Sequence, residues 1–454
     1  MTTRHRFTYT AAQLEDFAAT ILGHAKRLGA SACECDVSEG RGLSVTVRKG
    51  EVETIEHNRD KGIGVTVYVG ERPRARRGHA STSDFSPSAI EQTVAAALAI
   101  ARHTAKDDCT GLPEPDLLAR ELPDLDLYHP WDLDTDEAIG IARRCEAAAF
   151  ALSPKLNNSE GASLSSQQSR FVFANSLGFA AGFPTSRHAL WCAVIAEDDG
   201  LMQRDDWYSA HRVPGRLADP EALGRYAGGR ALARLGARKI RTCRAPVLFE
   251  APVATQLIGS FVAAASGGSL YRNASFLVDS LGRQVFSPIV CIDERPHEPQ
   301  ALASSPFDEE GVATRPRSVV RDGVLEGYFL GCYSARKLGM QSTGSAGGNH
   351  NLVVRQGDAP GPDFAGMLRT MGRGLLVTEL MGHGVNLITG DYSRGAAGYW
   401  VEGGEIRYPV EEITIAGNLR EILRGIVAVG SDEVVRGARR SGSILVDNMT
   451  VAGD

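Results

Sequence analysis

From Arg244 onward the chain is built of short apolar runs separated by glycine, and this texture constrains the fold more than any other feature. Brief β-branched segments bounded by turn residues are too short for helices and must bury their faces by pairing, so a β-rich unit is expected. Runs at 245–249, 285–292, 318–320, 324–330, 374–380 and 413–415 read as strands. Asp322-Gly323 and Gly403-Gly404 read as hairpin turns. A helical period over 253–265 predicts one of a few helices inside this unit.

The preceding residues alternate between two periods. Leu14, Phe17, Ala18, Ile21, Leu22, Ala25 and Leu28 recur at helical spacing, with Gly29 as a stop. Alternating runs at 32–39, 43–48, 52–57 and 64–69 predict an antiparallel meander, with Lys49-Gly50 and Lys61-Gly62 as its turns. A helix over 87–103 places Ile90, Val94, Ala97, Leu98 and Ala101 on one face. Residues 107–131 are acidic and carry Pro113, Pro115, Pro123 and Pro130, the composition of an extended connector. A helix over 135–152, strands near 170–174 and 189–197, and a helix over 220–235 complete this half. A chain of 454 residues exceeds one hydrophobic core. The fold class expected is α+β: a mixed N-terminal α/β domain (1–240) with antiparallel sheet and helices, then a C-terminal β-rich domain (241–454) with a few helices.

A formal net charge of −6 leaves no footprint for direct nucleic-acid binding. The cluster Arg72, Arg74, Arg76 and Arg77, broken by Pro73, reads as a solvated turn. None of the eight cysteines has the two-residue spacing of a redox dithiol or zinc knuckle, so reduced thiols are expected, with Cys33 and Cys35 on one strand face. No apolar segment follows the polar first ten residues, and the aliphatic run 94–101 is far short of the ~20 residues that span a bilayer. The expectation is a cytoplasmic protein with no membrane partner.

Catalytic templates fail one by one. His297-Glu298 is followed by Pro299, which breaks the helix a zincin motif needs. There is no Gly-x-Ser-x-Gly elbow and no Walker loop, and Gly62-x-Gly64 meets Val67 where a dinucleotide fingerprint needs glycine. His350, between two asparagines, and His383, between two glycines, read either as loop residues or as site groups. Asp391 and Arg394 read either as a structural ion pair or as a clamp on a peptide carboxylate.

The run Gly390-Asp391-Tyr392-Ser393-Arg394-Gly395-Ala396-Ala397-Gly398-Tyr399-Trp400-Val401-Glu402-Gly403-Gly404 combines backbone freedom, opposite charges and aromatic surface. Together with Phe276-Leu277-Val278-Asp279-Ser280, Ser305-Pro306-Phe307-Asp308-Glu309-Glu310-Gly311, Tyr333-Ser334-Ala335-Arg336-Lys337-Leu338-Gly339 and Glu412-Ile413-Thr414-Ile415-Ala416-Gly417-Asn418, it resembles the TldD/PmbA family, on its PmbA (TldE) branch. In the TldD branch a His-Glu-x-x-x-His helix and a distant cysteine hold zinc. The matching positions here are Thr255, Gln256, Ser260 and, at the cysteine, Ser441. Hydroxyls do not replace imidazoles at zinc, and an amide does not accept a proton from metal-bound water.

The resemblance implies a chain with no catalytic residue and no cofactor of its own. Zinc is expected in a TldD-type catalytic subunit, the heterodimer partner, and the substrate is an unfolded peptide. In isolation a homodimer and a single chain both stay open. Candidate substrate-binding residues are Phe307, Asp308, Gly347, His350, His383, Asp391 and Arg394, on loops 305–311, 342–350 and 391–398. Two other classes stay open: an interaction protein modulating a toxin-antitoxin system or DNA gyrase, and an autonomous hydrolase in which His350 or His383 meets a nucleophile.

Overall fold

The computed structural model describes residues 7–71, 74–357 and 359–453; the first six residues, and Arg72 and Pro73 of the basic cluster, lie outside them. The chain opens with α1 (Ala11–Arg27), started by a reciprocal cap in which Thr10 Oγ1 accepts from Gln13 N at 3.2 Å and Gln13 Oε1 accepts from Thr10 N at 2.8 Å. Its buried stripe, Leu14, Ala18, Ile21 and Ala25, lies on the sheet that follows. That sheet starts with two long strands, β1 (Ala32–Arg48) and β2 (Glu51–Val69).

Only one of the two expected turns between these runs exists. Lys49 and Gly50 turn with φ of 53° and 76°, and Glu146 accepts both their N–H groups at 2.8 Å. Lys61-Gly62 is not a turn, because Glu39 faces Lys61 and Ser38 faces Gly62 in unbroken register. β1 is paired on both sides, so its neighbours hold the glycine-containing middle extended instead of leaving it to fold back.

The remaining N-terminal elements are β3 (Arg76–Thr82), α2 (Pro87–His103), α3 (Thr135–Phe150), β4 (Leu156–Asn175), β5 (Ala180–Ala181), β6 (Pro184–Asp198), β7 (Leu201–His211) and α4 (Pro220–Ala233). They complete an antiparallel sheet in the order β3-β2-β1-β4-β6-β7, with β5 beside β4. One end is covered by α1 and α2, the other by α3 and α4. Cys33 and Cys35 are buried on the face toward α1 and α2. At Gly224 of α4 an added Cβ would stand 1.9 Å from the Cys145 carbonyl oxygen of α3. Gly224→Ala is therefore expected to destabilise by about 1–3 kcal/mol through backbone displacement, read as a lower urea midpoint at unchanged m.

The C-terminal elements are β8 (Cys243–Phe249), α5 (Ala251–Ala264), α6 (Gly267–Tyr271), β9 (Val290–Glu294), β10 (Arg317–Arg321), β11 (Val324–Leu325), α7 (Cys332–Lys337), β12 (Leu352–Gln356), α8 (Phe364–Met371), β13 (Arg373–Met381), β14 (Asp391–Glu402), β15 (Glu405–Asn418), α9 (Leu419–Arg424), β16 (Ile426–Val429), β17 (Val434–Arg436), β18 (Arg439–Ser441) and β19 (Ile444–Ala452). One sheet runs β11-β10-β9-β12-β18-β17. The other runs β15-β14-β13-β8-β19-β16, and pairing of Thr414, Ile415 and Ala416 with residues 450–452 closes β15 onto β19 as a five-strand ring. Val253, Ala254, Leu257, Ile258 and Phe261 of α5 share one core with residues from both sheets. The architecture is thus α+β with a β-rich C-terminal region.

The connector lies across the C-terminal unit. Arg336 of α7 donates to the carbonyls of Cys109, Gly111 and Leu112 at 3.0, 2.9 and 2.6 Å. Farther along, Phe307 joins Phe173 and Phe179 in a small core between the two halves. Among the described residues no helix is long and apolar enough to cross a membrane.

Candidate functional site

Glu250 separates β8 from α5, so the ring strand delivers the helix directly into the corner where the degenerate positions meet. Thr255 is buried and its hydroxyl turns back to the Pro252 carbonyl at 2.7 Å. Gln256 is exposed, and Ser260 Oγ donates to the Gln256 carbonyl at 3.5 Å. Ser441, fully buried on β18, donates to the Gly442 carbonyl at 2.8 Å. Arg439 of the same strand donates to the Thr255 carbonyl at 3.5 Å and lies over Gly259, where a Cβ would meet its Nη1 at 2.8 Å. A zinc ion does not fit this corner: the hydroxyls of Thr255, Ser260 and Ser441 are each bonded to backbone carbonyls, and a guanidinium on the same helix face repels a dication. Among the described residues no three His, Cys, Asp or Glu side chains are grouped to hold a metal.

A cavity of about 480 Å³ opens in front of α5, between β7, β13 and the β17–β18 hairpin. Sequence reasoning assigned no role to its charged walls: Asp205 and Arg230 belong to no motif, and Glu379 lies in Thr378-Glu379-Leu380-Met381-Gly382, a segment shared with the TldD/PmbA pattern that marked no cavity. Arg230 of α4 grips Glu250 with two bonds, 2.7 and 3.1 Å, and reaches Asp205 of β7 at 3.0 Å. Arg234 bonds Glu379 and stands 3.6 Å from Asp205. Burial pushes the Glu250 carboxyl up even with Arg230 against it. These pairs join the two halves of the chain beside the cavity.

The expected substrate-binding residues are spread over several places. Phe307 is buried in the phenylalanine cluster. Asp308 is also buried, and its carboxylate accepts from the N–H groups of Glu310, Val312 and Ala346 at 2.9, 3.0 and 2.9 Å, which ties loop 305–311 to loop 342–350. Gly347 has φ of +89° and packs so closely on Glu309 that a Cβ would meet its Cδ at 2.5 Å. His350 receives structural bonds, its N–H donating to Glu294 at 2.8 Å and its ring Nε2 lying 3.0 Å from the Gly344 carbonyl. His383 is exposed in the loop after β13. Asp391 and Arg394 do not pair with each other. Asp391 accepts from Thr389 at 2.6 Å and Asn418 at 3.2 Å, whereas Arg394 donates to the Met381 carbonyl at 3.1 Å. Three residues apart on a strand, they face opposite sides. Among the described residues neither histidine is hydrogen-bonded to a nucleophile, so the geometry that an autonomous hydrolase requires is not formed by them.

Phe307 and Asp308 border a second cleft, of about 540 Å³, whose other wall is Glu34, Asp36, Thr66 and His79. Burial pushes the Glu34 carboxyl up to about 7, against the pull of the Tyr68 hydroxyl that donates to it at 2.8 Å. Burial, with the Glu310 charge adding, pushes Asp308 in the same direction. The folded state then keeps protons that the unfolded chain has already lost. Stability is fully present below the ordinary carboxylate range and falls as pH rises toward about 7. Glu34→Gln is expected to remove about 1–2 kcal/mol of that fall, after solvent screening in an open cleft, as read by denaturation at a series of pH values.

These features define a two-sheet frame whose α5 corner offers hydroxyls, an amide and a guanidinium. The PmbA/TldA metallopeptidase family models match three stretches: domain 1 over residues 33–101, the central domain over 128–235 and the C-terminal domain over 242–453. Metalloprotease PmbA of Escherichia coli O157:H7 is 49% identical over 92% of this chain and 92% of its own length. The Haemophilus influenzae PmbA homolog is 46% identical over 95% and 94%. A solved structure described as a putative modulator of DNA gyrase, from Bacteroides thetaiotaomicron, superposes with TM-score 0.91 at 25% identity over 98% of this chain and 100% of that one. TldE from Thermococcus kodakarensis shares the fold, with TM-score 0.83 at 19% identity over 96% and 100%. The chain belongs to the PmbA/TldD family, on its PmbA (TldE) branch. The family models divide the first 240 residues into two units that here share one sheet.

Proposed function

We propose that this chain is the zinc-free subunit of a cytoplasmic TldD/TldE-type metallopeptidase that processes unfolded peptides. It binds a TldD-type catalytic subunit and completes the substrate chamber. One observation carries the reading: at the corner where α5 meets β18, the groups available are Thr255, Gln256, Ser260 and Ser441 under the Arg439 guanidinium, not imidazoles and a carboxylate. Such groups neither bind a Lewis acid nor generate a hydroxide nucleophile at neutral pH. The family membership supplies the peptidase context, and unpaired strand edges supply main-chain donors and acceptors that hold an extended peptide without regard to sequence.

Tagged co-expression with a TldD-type protein from the same host tests the assignment. The expected result is a stable one-to-one complex in which zinc follows the partner. Recovery of this chain alone, or with a regulator and no TldD-type protein, would instead favour an interaction protein outside any peptidase.

A further inference from the structure

The charges around the α5 cavity do not balance. Arg204 and Arg230 are engaged by Asp206, Glu160, Asp205 and Glu250. Arg187, Arg436 and Arg439 line the same cavity, and no carboxylate lies within ion-pair distance of any of them among the described residues. Arg436 instead lies over aromatic rings, its guanidinium carbon 4.0 Å from the Tyr208 centroid and 4.6 Å from that of Trp207. Arg439 has a single long bond to a carbonyl, and its buried Nε has no partner. Thr378, at the bulge where β13 shifts register against β14, lines the same cavity with a buried hydroxyl that also lacks a partner. Buried donors are normally satisfied, so two orphaned donors and unpaired guanidinium groups around one cavity indicate a missing acceptor carrying negative charge.

We propose that this cavity binds a peptide carboxylate, with Arg439 and Arg436 as the charged groups and Thr378 as a hydroxyl donor. The inference rests on the reading of the chain as a peptide-chamber subunit and gives that chamber an end-recognising element. The positive charge of a metal is replaced here by arginine, which binds a carboxylate through paired N–H groups and performs no hydrolysis. Burial depresses both guanidinium groups from their ordinary range, which a bound anion would reverse. The carboxylate has two sources, the α-carboxylate of a peptide C-terminus and the side chain of aspartate or glutamate.

The test is fluorescence anisotropy on the full chain with N-terminally labelled, unstructured hexapeptides: a neutral peptide as free acid, the same peptide as C-terminal amide, and an amidated peptide carrying one glutamate. At least one carboxylate peptide is expected to bind about tenfold or more tighter than the neutral amide, and which one does so identifies the source. Arg439→Gln is expected to abolish the difference, while Arg439→Lys retains part of it, with melting curves showing both variants folded. Should Arg439→Gln fail to fold, Arg436→Gln on the aromatic shelf provides the same readout. Equal affinity for all three peptides, no binding of any, or a preference unchanged in the variants would overturn the proposal. The subunit assignment falls on a different result, stoichiometric zinc in this chain, so the two failures are separable.

Discussion

Replacing Arg230 by methionine is expected to cost about 3–5 kcal/mol of folding stability, the range for removing one side of a buried ion pair. The Arg230 side chain is 12% exposed and Glu250 14%, so neither charge is well hydrated after the loss. Glu250 sits between β8 and α5 while Arg230 sits on α4, so the pair is also a tie between the two halves of the chain. Arg234 stands 3.6 Å from Asp205 and compensates partly at that carboxylate. With Arg230 gone, the Glu250 carboxyl, already pushed up by burial, escapes the penalty only by taking a proton. The cost of the substitution should therefore grow with pH, and Arg230→Lys should fall between, since an ammonium cannot make the paired grip. Equilibrium denaturation checks both; a loss below about 1 kcal/mol at neutral pH would mean that the pair behaves like a surface ion pair.

In the two-subunit complex proposed above, peptide turnover should respond unequally to changes in its two halves. Thr255→Val and Ser260→Ala in this chain are expected to leave kcat within about twofold, whereas neutralising the motif glutamate of the proposed TldD-type partner should lower it by about 10²–10⁴. The asymmetry follows from where the hydroxyls point. Inside α5, Thr255 back-bonds to the Pro252 carbonyl and Ser260 to that of Gln256, so neither is free to take part in proton transfer. A drop in kcat of a hundredfold with either variant would place chemistry on this chain.

How far the fold could be read in advance depended on whether the signal was local. The helix over 87–103 was legible because Ser86 caps it, Pro87 occupies its first position, and its apolar stripe repeats with helical period. β7 was not, because Leu201 and Met202 are exposed and most of the strand is half-buried, which gives no alternation to follow. Closure of the ring was equally hidden, since residues 414–416 meet 450–452 only through long-range pairing. At the candidate site, the motif at 305–311 did mark an unusual residue, yet Asp308 spends its carboxylate on three backbone N–H groups within the protein. Arg436 and Arg439 lie in a stretch with no recognisable pattern, and they stand out only when β18 is laid against α5 and no carboxylate of the described residues is within ion-pair distance of them.

Whether the α5 corner holds a metal decides the subunit's role. Elemental analysis of the isolated chain, purified in the presence of zinc and freed of weakly bound ions by exhaustive dialysis, tests this most directly. Well below about 0.1 zinc per chain is expected from a corner of hydroxyls and an arginine; about one zinc per chain, retained through dialysis, would contradict the account.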